Sequence, residues 1–285
     1  MKIRNILYIS LLTLACLANV SQAQRKVLAV GKVKTSESVN AAANRDGSAN
    51  SLMRVSEAID GQLIDALNGT RKFEIIARSD LDALLEEGAF TGAGLQVGGS
   101  DYLLVPSIDD YQDLIERATF GGIGATAEKR KIRLGMVCRI YDAASGKLVE
   151  STNFQLDNKN VEKLLENSTR NGSFSDDLLR KIAEEMGGQI ANRVVDVIYP
   201  ARVMSVVGPQ VTINRGDGTG IAVGQKWDIF ALGEEMIDPD TGESLGQNEV
   251  KVGEITINRV TPKFSTGNIG ENFGIVQGAV ARPTN

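Results

Sequence analysis

The stretch GSDYLLVPSIDDYQD, Gly99 to Asp113, sets an apolar run directly against three carboxylates, and its reading decides the fold. Tyr102 to Ile108 has the Leu- and Val-rich character of a buried strand. Pro106 has no N–H to give to a ladder, so the strand is expected to run at an edge or to bulge there. Asp109, Asp110 and Asp113 then admit two readings: the mouth of an active site, or the place where a core strand surfaces. Neighbours on a strand point to opposite faces, whereas paired glycosidase carboxylates stand about 5 to 9.5 Å apart across a cleft. The surfacing strand is the expectation, with the three acids solvated at its exit.

Upstream, KVLAVGKVK (Lys26–Lys34) reads as a buried first strand. The following TSESVNAAANRDGSANS has no periodicity and is expected to be a polar loop. Leu52, Val55, Ile59, Leu63 and Leu67 recur at spacings of three and four, which predicts an amphipathic helix ended by the NGT at Asn68. KFEIIAR reads as a second strand. SDLDALLEEG predicts a helix with Ser79 as N-cap, Asp82 as its capping-box partner and Gly88 as its stop.

Downstream of the opening stretch, ATFGGIGATAEKRK reads as a Gly-rich hairpin leading into IRLGMVCRIYDAASGKLVESTNFQL. The latter is two alternating runs joined by the turn AASGK. Asp157 to Ser173 is polar, a loop or short helix. Leu178, Leu179, Ile182, Met186, Ile190, Val194 and Val197 predict a long helix capped near Ser175, with Asp176 and Asp177 at its positive end. Tyr199-Pro200 ends that helix and marks a domain boundary. Beyond it, ARVMSVVGPQVTINRG, QKWDIFAL, EVKVGEITINRVT and GIVQGAVARP read as short strands separated by the turns DGTG, DPDTGES and STGNIGEN. That pattern predicts a small all-β barrel or sandwich with Trp227 in its core.

The first 23 residues stand apart. Lys2 and Arg4, the apolar run Ile6–Ala18 and the SQA before Gln24 have the layout of a secretory signal peptide, with Ala23 and Gln24 flanking the cut. LTLAC places Cys16 after a small residue in the manner of a lipobox, although Thr13 stands where that motif wants an aliphatic residue. Cleavage before Gln24 is the expectation; lipid attachment at Cys16 is the alternative. Either way the chain is expected to be exported. Losing Lys2 and Arg4 moves the formal charge from −5 to −7. With no basic stripe, nucleic acid and anionic lipid are not expected as partners. Cys138, alone after cleavage before Gln24, lies in an apolar run and reads as an inert core thiol.

Histidine is absent from all 285 residues, which removes the commonest general base, the commonest zinc ligand and every His-dependent triad. DPDTGE (Asp238–Glu243) spaces its acids like a calcium loop but lacks the remaining ligands, and reads as a turn. GDGTGIAVG lacks the Lys-Ser/Thr ending of a phosphate loop, and the RGD at Arg215 reads as a chance triplet in a turn. NGT, NST and NGS match the glycosylation pattern with nothing else to support it. No cofactor, metal or small-molecule substrate is expected.

The order strand, helix, FEIIARSDLDALLEE, SDYLLVPSI, RIYDAASGKLVES and long helix resembles the periplasmic domain of the CsgG family, which holds the curli secretion channel; the same fold is similar to the lipoprotein activators of penicillin-binding proteins. The resemblance covers about Lys26 to Pro200. GPQVTINRGDGTGIAVGQKWDIFALGE is similar to the small SH3-like barrel that ends flagellar assembly protein T. The resemblance implies an α/β domain over residues 24–200, a small β-barrel over 201–285, and ring-like self-association. Channel-forming members carry two long hairpins that line a transmembrane barrel. Here the counterparts are DLIERATFGGIGATAEKRKI and NKNVEKLLENSTRNGSFSDD. The first is charged with little alternation, and the second is polar. A spanning strand needs about 9 to 11 residues with one apolar face, so the fold carries over and the pore does not.

The resulting expectation is a non-catalytic assembly or interaction protein, periplasmic or associated with the outer membrane. It would contact other envelope proteins or itself, and membrane only if lipidated at Cys16. Phe120, Gly121, Gly122 and Ile123 are the candidate contact surface, ordering on assembly; a mobile hairpin tip is the simpler reading. A CsgG-like secretion channel component and a carboxylate-dependent hydrolase are the alternatives.

Overall fold

The computed structural model describes residues 25–78, 99–120, 125–157, 160, 176–242 and 244–284. The leader with Cys16, Ala23 and Gln24, the helix expected from Ser79, the tip residues Gly121, Gly122 and Ile123, and nearly all of the second hairpin counterpart lie outside these residues.

The first half is a mixed sheet with helices on one face. Strands β1 (Lys26–Gly31), β2 (Lys34–Thr35), β3 (Phe73–Arg78), β4 (Tyr102–Phe120), β5 (Ala125–Asp142) and β6 (Leu148–Leu156) run in the order β3-β1-β4-β5-β6, with β2 on β4. β1 pairs in parallel with β3 and β4, while β4, β5 and β6 form an antiparallel meander. Helices α1 (Glu37–Asp46), α2 (Ala49–Gly69) and α3 (Asp176–Ile198) complete the described half. Period-two alternation sends Leu28 and Val30 into the main core beneath α2 and α3, and Ala29 with Leu103 and Ala143 into a smaller buried cluster. The α2 stripe is the expected one: Leu52, Val55, Ile59, Leu63 and Leu67 are all buried. Cys138 is buried in the same core, and the apolar surroundings push its thiol up to about 12.

Three expectations are corrected. The polar loop after β2 is largely helical. Ser36 caps α1 by accepting from the Val39 N–H, Glu37 sits in the first turn, and Gly47 closes the helix at φ +81°. Only Val39 and Ala43 are buried, one turn apart, so there is no long stripe for periodicity to detect. Secondly, the strand does not exit at the aspartates; β4 runs on through them to Phe120. Pro106 lies in this central strand, between Leu104, the last residue paired to β1, and Ser107, the first paired to β2. The missing N–H thus falls in a gap of the ladder, and the bulge comes two residues later, between Ile108 and Asp110.

The third correction concerns the second half. STGNIGEN, expected as a turn, is a strand. β7 (Val203–Val207), β8 (Gln210–Ile213), β9 (Lys226–Ile237), β10 (Ser244–Val260), β11 (Ser265–Asn272) and β12 (Val280–Pro283) form an antiparallel sheet in the order β12-β9-β10-β11-β8-β7. In β11, Gly267 is a packing requirement: a Cβ there would stand 3.0 Å from the Thr256 carbonyl and 3.2 Å from the Ile255 side chain. The two end strands meet, because Arg202 bridges Val280, Val203 N–H donates to the Ala279 carbonyl at 2.8 Å and Ala281 N–H to the Ala201 carbonyl at 2.9 Å. The sheet therefore closes on itself, which leaves its core without a free lateral edge. Trp227 is buried there with Val211, Ile213, Ile229, Ile255 and Ile257.

The core residues of the first half run to Tyr199, and those of the second begin at Ala201. The halves touch at the loop Arg215–Gly220. Lys72 Nζ donates to the Asn214 carbonyl at 2.9 Å, and Arg215 pairs with Asp196 of α3. Lys72 immediately precedes β3, and β3 is parallel to β1 and β4. The closed sheet thus sits at the end where these strands begin, and the β4–β5 hairpin points away from it.

Candidate assembly surface

The β4–β5 hairpin is the feature that the rest of the fold positions. Its inner part is a sheet interior: Leu103, Leu104, Ile108, Leu134 and Met136 are buried, and β1, β2 and β6 flank it as far as Ile108 on one side and Leu134 on the other. From Asp113↔Ile132 to Phe120↔Ala125 the two strands continue for eight paired positions with no third strand among the described residues. At about 3.3 Å per residue this ribbon reaches about 26 Å.

Two of the three aspartates, Asp113 and Asp110, anchor its root by separate contacts. Ser51 of α2 donates to Asp113 Oδ2 at 2.7 Å and lies 2.6 Å from the Tyr111 hydroxyl. A serine hydroxyl has one proton, so Tyr111 is the donor in the second contact. Asp110 takes a two-pronged contact from Arg133 of β5, 2.5 Å to Nε and 3.0 Å to Nη2, and this carboxylate raises the Arg133 guanidinium above its ordinary value. Asp109 is exposed at the bulge. Gly135 lies opposite, where a Cβ would meet Asp110 Cβ at 3.0 Å and Asp109 Oδ1 at 3.1 Å. The acids are spread over a bulge, a cross-strand pair and a helix contact, and do not converge on one cleft. Ser51, Arg133 and Gly135 were missed in the sequence; Gly135 breaking the apolar run Leu134–Cys138 was the one local sign of them.

Along the free ribbon, period two divides the positions between two faces. Leu114, Glu116, Ala118 and Phe120 share one face with Ala125, Ala127, Lys129 and Lys131. Ile115, Arg117 and Thr119 share the other with Thr126, Glu128 and Arg130. Only Ala118↔Ala127 and Phe120↔Ala125 are apolar on both strands, while Leu114 and Ile115 each stand opposite a basic residue. Neither face is apolar over the length that a bilayer strand needs. No described helix is long and apolar enough to cross a membrane, which says nothing of strands.

Two clefts flank Lys32. One, of about 510 Å³, lies between the β1–β2 connection and helices α1 and α2 and carries Lys34, Asn40, Asn44 and Glu57. The other, of about 260 Å³, holds Asp60 among Val30, Leu63 and Ala77. Asp60 accepts from the Val33 N–H at 2.6 Å, and burial raises its carboxyl above the usual range. Among the described residues, each of these two clefts has one carboxylate on its wall, Glu57 in the first and Asp60 in the second. No group of three or more metal-ligating side chains occurs among the described residues. Asp238 Oδ1 instead accepts from the N–H groups of Asp240 and Thr241, which makes DPDTG a side-chain-held turn. Arg215 of the RGD triplet is fully buried.

The family model of the curli production assembly/transport component CsgG matches residues 12–182. No curated protein matches the chain. Among solved structures, the hypothetical protein CT253 from Chlamydia trachomatis is 13% identical, covering 62% of this chain and 99% of its own, at a TM-score of 0.35. The PelC dodecamer from Paraburkholderia phytofirmans is 13% identical, covering 57% and 88%, at 0.26. Lipoprotein GNA1162 from Neisseria meningitidis is 15% identical, covering 59% and 99%, at 0.26. The family match takes in the whole meander, the hairpin and the first turns of α3, more than half of the sequence, and the chain belongs to the CsgG family.

Proposed function

We propose that the protein is a non-catalytic assembly component of the bacterial envelope, exported to the periplasm or the inner side of the outer membrane, which self-associates through the β4–β5 ribbon. The observation that carries this reading is the ribbon itself: eight cross-strand pairs from Asp113↔Ile132 to Phe120↔Ala125, with open backbone edges on both sides among the described residues. A long unpartnered ribbon is a template for pairing, and side-by-side pairing of ribbons in successive copies closes into a ring when the rotation between copies is constant. Residues 24–200 act as the assembly domain and 201–285 as a separate SH3-like barrel. The lack of histidine and the single carboxylate in each described cleft support a binding role over catalysis.

Light scattering on the mature chain tests the reading, alongside a variant whose residues 116–129 are replaced by Asn-Gly. A discrete oligomer for the native chain and a monomer for the shortened one are expected. Monomers for both would overturn it. Mass spectrometry of the mature N-terminus tests the export route: a chain starting at Gln24 is expected, and a lipid-modified Cys16 would replace free periplasmic residence with membrane attachment.

A secretion channel is the second reading, favoured by the family and by the length of β4 and β5, 19 and 18 residues. Charged residues on both faces of the ribbon oppose it. Conductance in lipid vesicles by the purified oligomer separates the two, and ion flux would select the channel.

A further inference from the structure

The closed sheet carries a second two-stranded arm, built from the outer parts of β9 and β10. β12 pairs with β9 no further than Phe230, and β11 with β10 no further than Gly253. β9 and β10 nevertheless remain paired out to Ile237↔Ser244. Leu232 to Ile237 therefore form a two-stranded arm about 20 Å long. Its base is fixed: Arg282 forks onto Glu249, 2.7 Å from Nη2 to Oε1, and lies over the Phe230 ring at 5.3 Å.

The arm has two unusual properties together. Met236, Ile237, Leu245 and Val250 are exposed, Ile237 by 53% and Leu245 by 61%, although nothing in the fold requires apolar residues there. From Ala231 to Val250 the sequence also holds Glu234, Glu235, Asp238, Asp240, Glu243 and Glu249 and no Lys or Arg. An apolar surface with open strand edges is a docking surface, and its charge selects the occupant. Anionic lipid and nucleic acid are repelled. Pairing arm against arm with a second copy is disfavoured in the same way, because it brings like charges together.

We propose that the β9–β10 arm is a docking site for an extended, Lys- or Arg-bearing segment of a partner protein, which adds as a strand along the arm. Backbone pairing supplies the affinity; the carboxylates and exposed apolar side chains supply the selection. The inference does not depend on the ring proposed above.

The test uses the full mature chain and two labelled ten-residue peptides, one alternating lysine with valine and one alternating glutamate with valine. Anisotropy gives affinity at several salt concentrations, and hydrogen exchange locates the site. The lysine peptide should bind at least 10-fold more tightly than the glutamate peptide, weaken with salt, and protect amides within 231–250. Binding should fall at least 10-fold both in the Glu234→Lys/Glu235→Lys variant and in the Ile237→Ser/Leu245→Ser variant. None of these four residues belongs to the buried core, so the unfolding midpoint should stay in place. Equal binding of the two peptides, unchanged affinity in either variant, or protection outside the arm would overturn the proposal. Self-association abolished by Ile237→Ser/Leu245→Ser would overturn it in favour of a second copy.

Discussion

Arg215 donates through Nη2 to Asp196 Oδ1 at 2.5 Å, joining the loop of the closed sheet to the last turns of α3. The pair is lopsided. The arginine side chain is 0% exposed and the aspartate 45%, and Nε and Nη1 of the guanidinium have no acceptor among the described residues. Burial draws the Arg215 guanidinium below its ordinary value, and Asp196 pulls it back up. Removing Asp196 strands a buried cation. Asp196→Ala should destabilise the protein by about 2 kcal/mol, the cost of an unsatisfied buried group. Arg215→Met fills similar space without charge and should cost less, and the double variant should recover most of the loss. A double-mutant cycle in urea unfolding reads this directly; additive effects would show that the pair carries no coupling.

Adjacent glycines in α3 should respond with opposite signs. At Gly187 a Cβ would lie 3.1 Å from the backbone of Gln62 and Leu63, so this residue lets α2 and α3 approach. Gly188 has nothing within 4 Å of the same position. Gly188→Ala should stabilise by about 0.5 to 1 kcal/mol through helix propensity alone. Gly187→Ala should destabilise, because the atoms in its way are main chain and cannot swing aside. Thermal midpoints of the two variants decide it.

Asp60 gives a pH dependence of definite sign. Burial comes first in raising its carboxyl, with Glu57 adding; the Val33 N–H and Lys32 act against it. A carboxyl raised in the folded state holds more proton there than in the unfolded chain, so this residue's contribution to stability falls as pH rises through that window. Asp60→Asn keeps an oxygen for Val33 N–H and removes the ionisation. At pH 7 the variant should be the more stable protein, by under about 1 kcal/mol since the site is only half buried. The advantage should vanish as pH falls below the ordinary carboxyl value of 3.8. Urea midpoints at pH 7 and pH 3.5 test the sign.

What was legible in the sequence follows from how local each signal is. The α2 stripe and Trp227 were readable because each is one element meeting one core. Helix α1 was not, since it buries only Val39 and Ala43 and depends on Ser36 and Gly47 at its ends. β11 was mistaken for a turn because Gly267, which packs against Thr256 of another strand, looks like punctuation when read alone. The length of β4 was hidden because alternation comes from having a core on one side, and beyond Asp113 the sequence carries little alternation and no third strand flanks the ribbon among the described residues. Arg215 was dismissed for a similar reason. What buries it is an encounter between the loop and the other half: a Cβ at Gly218 would stand 2.5 Å from the Gly69 carbonyl, a contact between residues far apart in the chain.

Cys138 offers a direct measure of how firmly the meander holds together. It lies in β5 opposite Pro106 on one side and Thr152 on the other, its side chain in the main core. Desolvation holds the thiol near 12, with Arg139 opposing only weakly. The thiolate is the reactive form, so at pH 8 the folded protein keeps Cys138 as the unreactive thiol, shielded by packing. Labelling with a thiol reagent should therefore proceed only through opening. Because β5 is paired on both sides along this stretch, the opening that frees Cys138 must break the centre of the sheet. The labelling rate at low denaturant should match the global unfolding free energy, and Asp196→Ala should accelerate it only by as much as it lowers that energy. Rapid labelling of the folded chain would mean that the meander opens locally, and that the root of the assembly ribbon is far less rigid than its contacts with Ser51 and Arg133 imply.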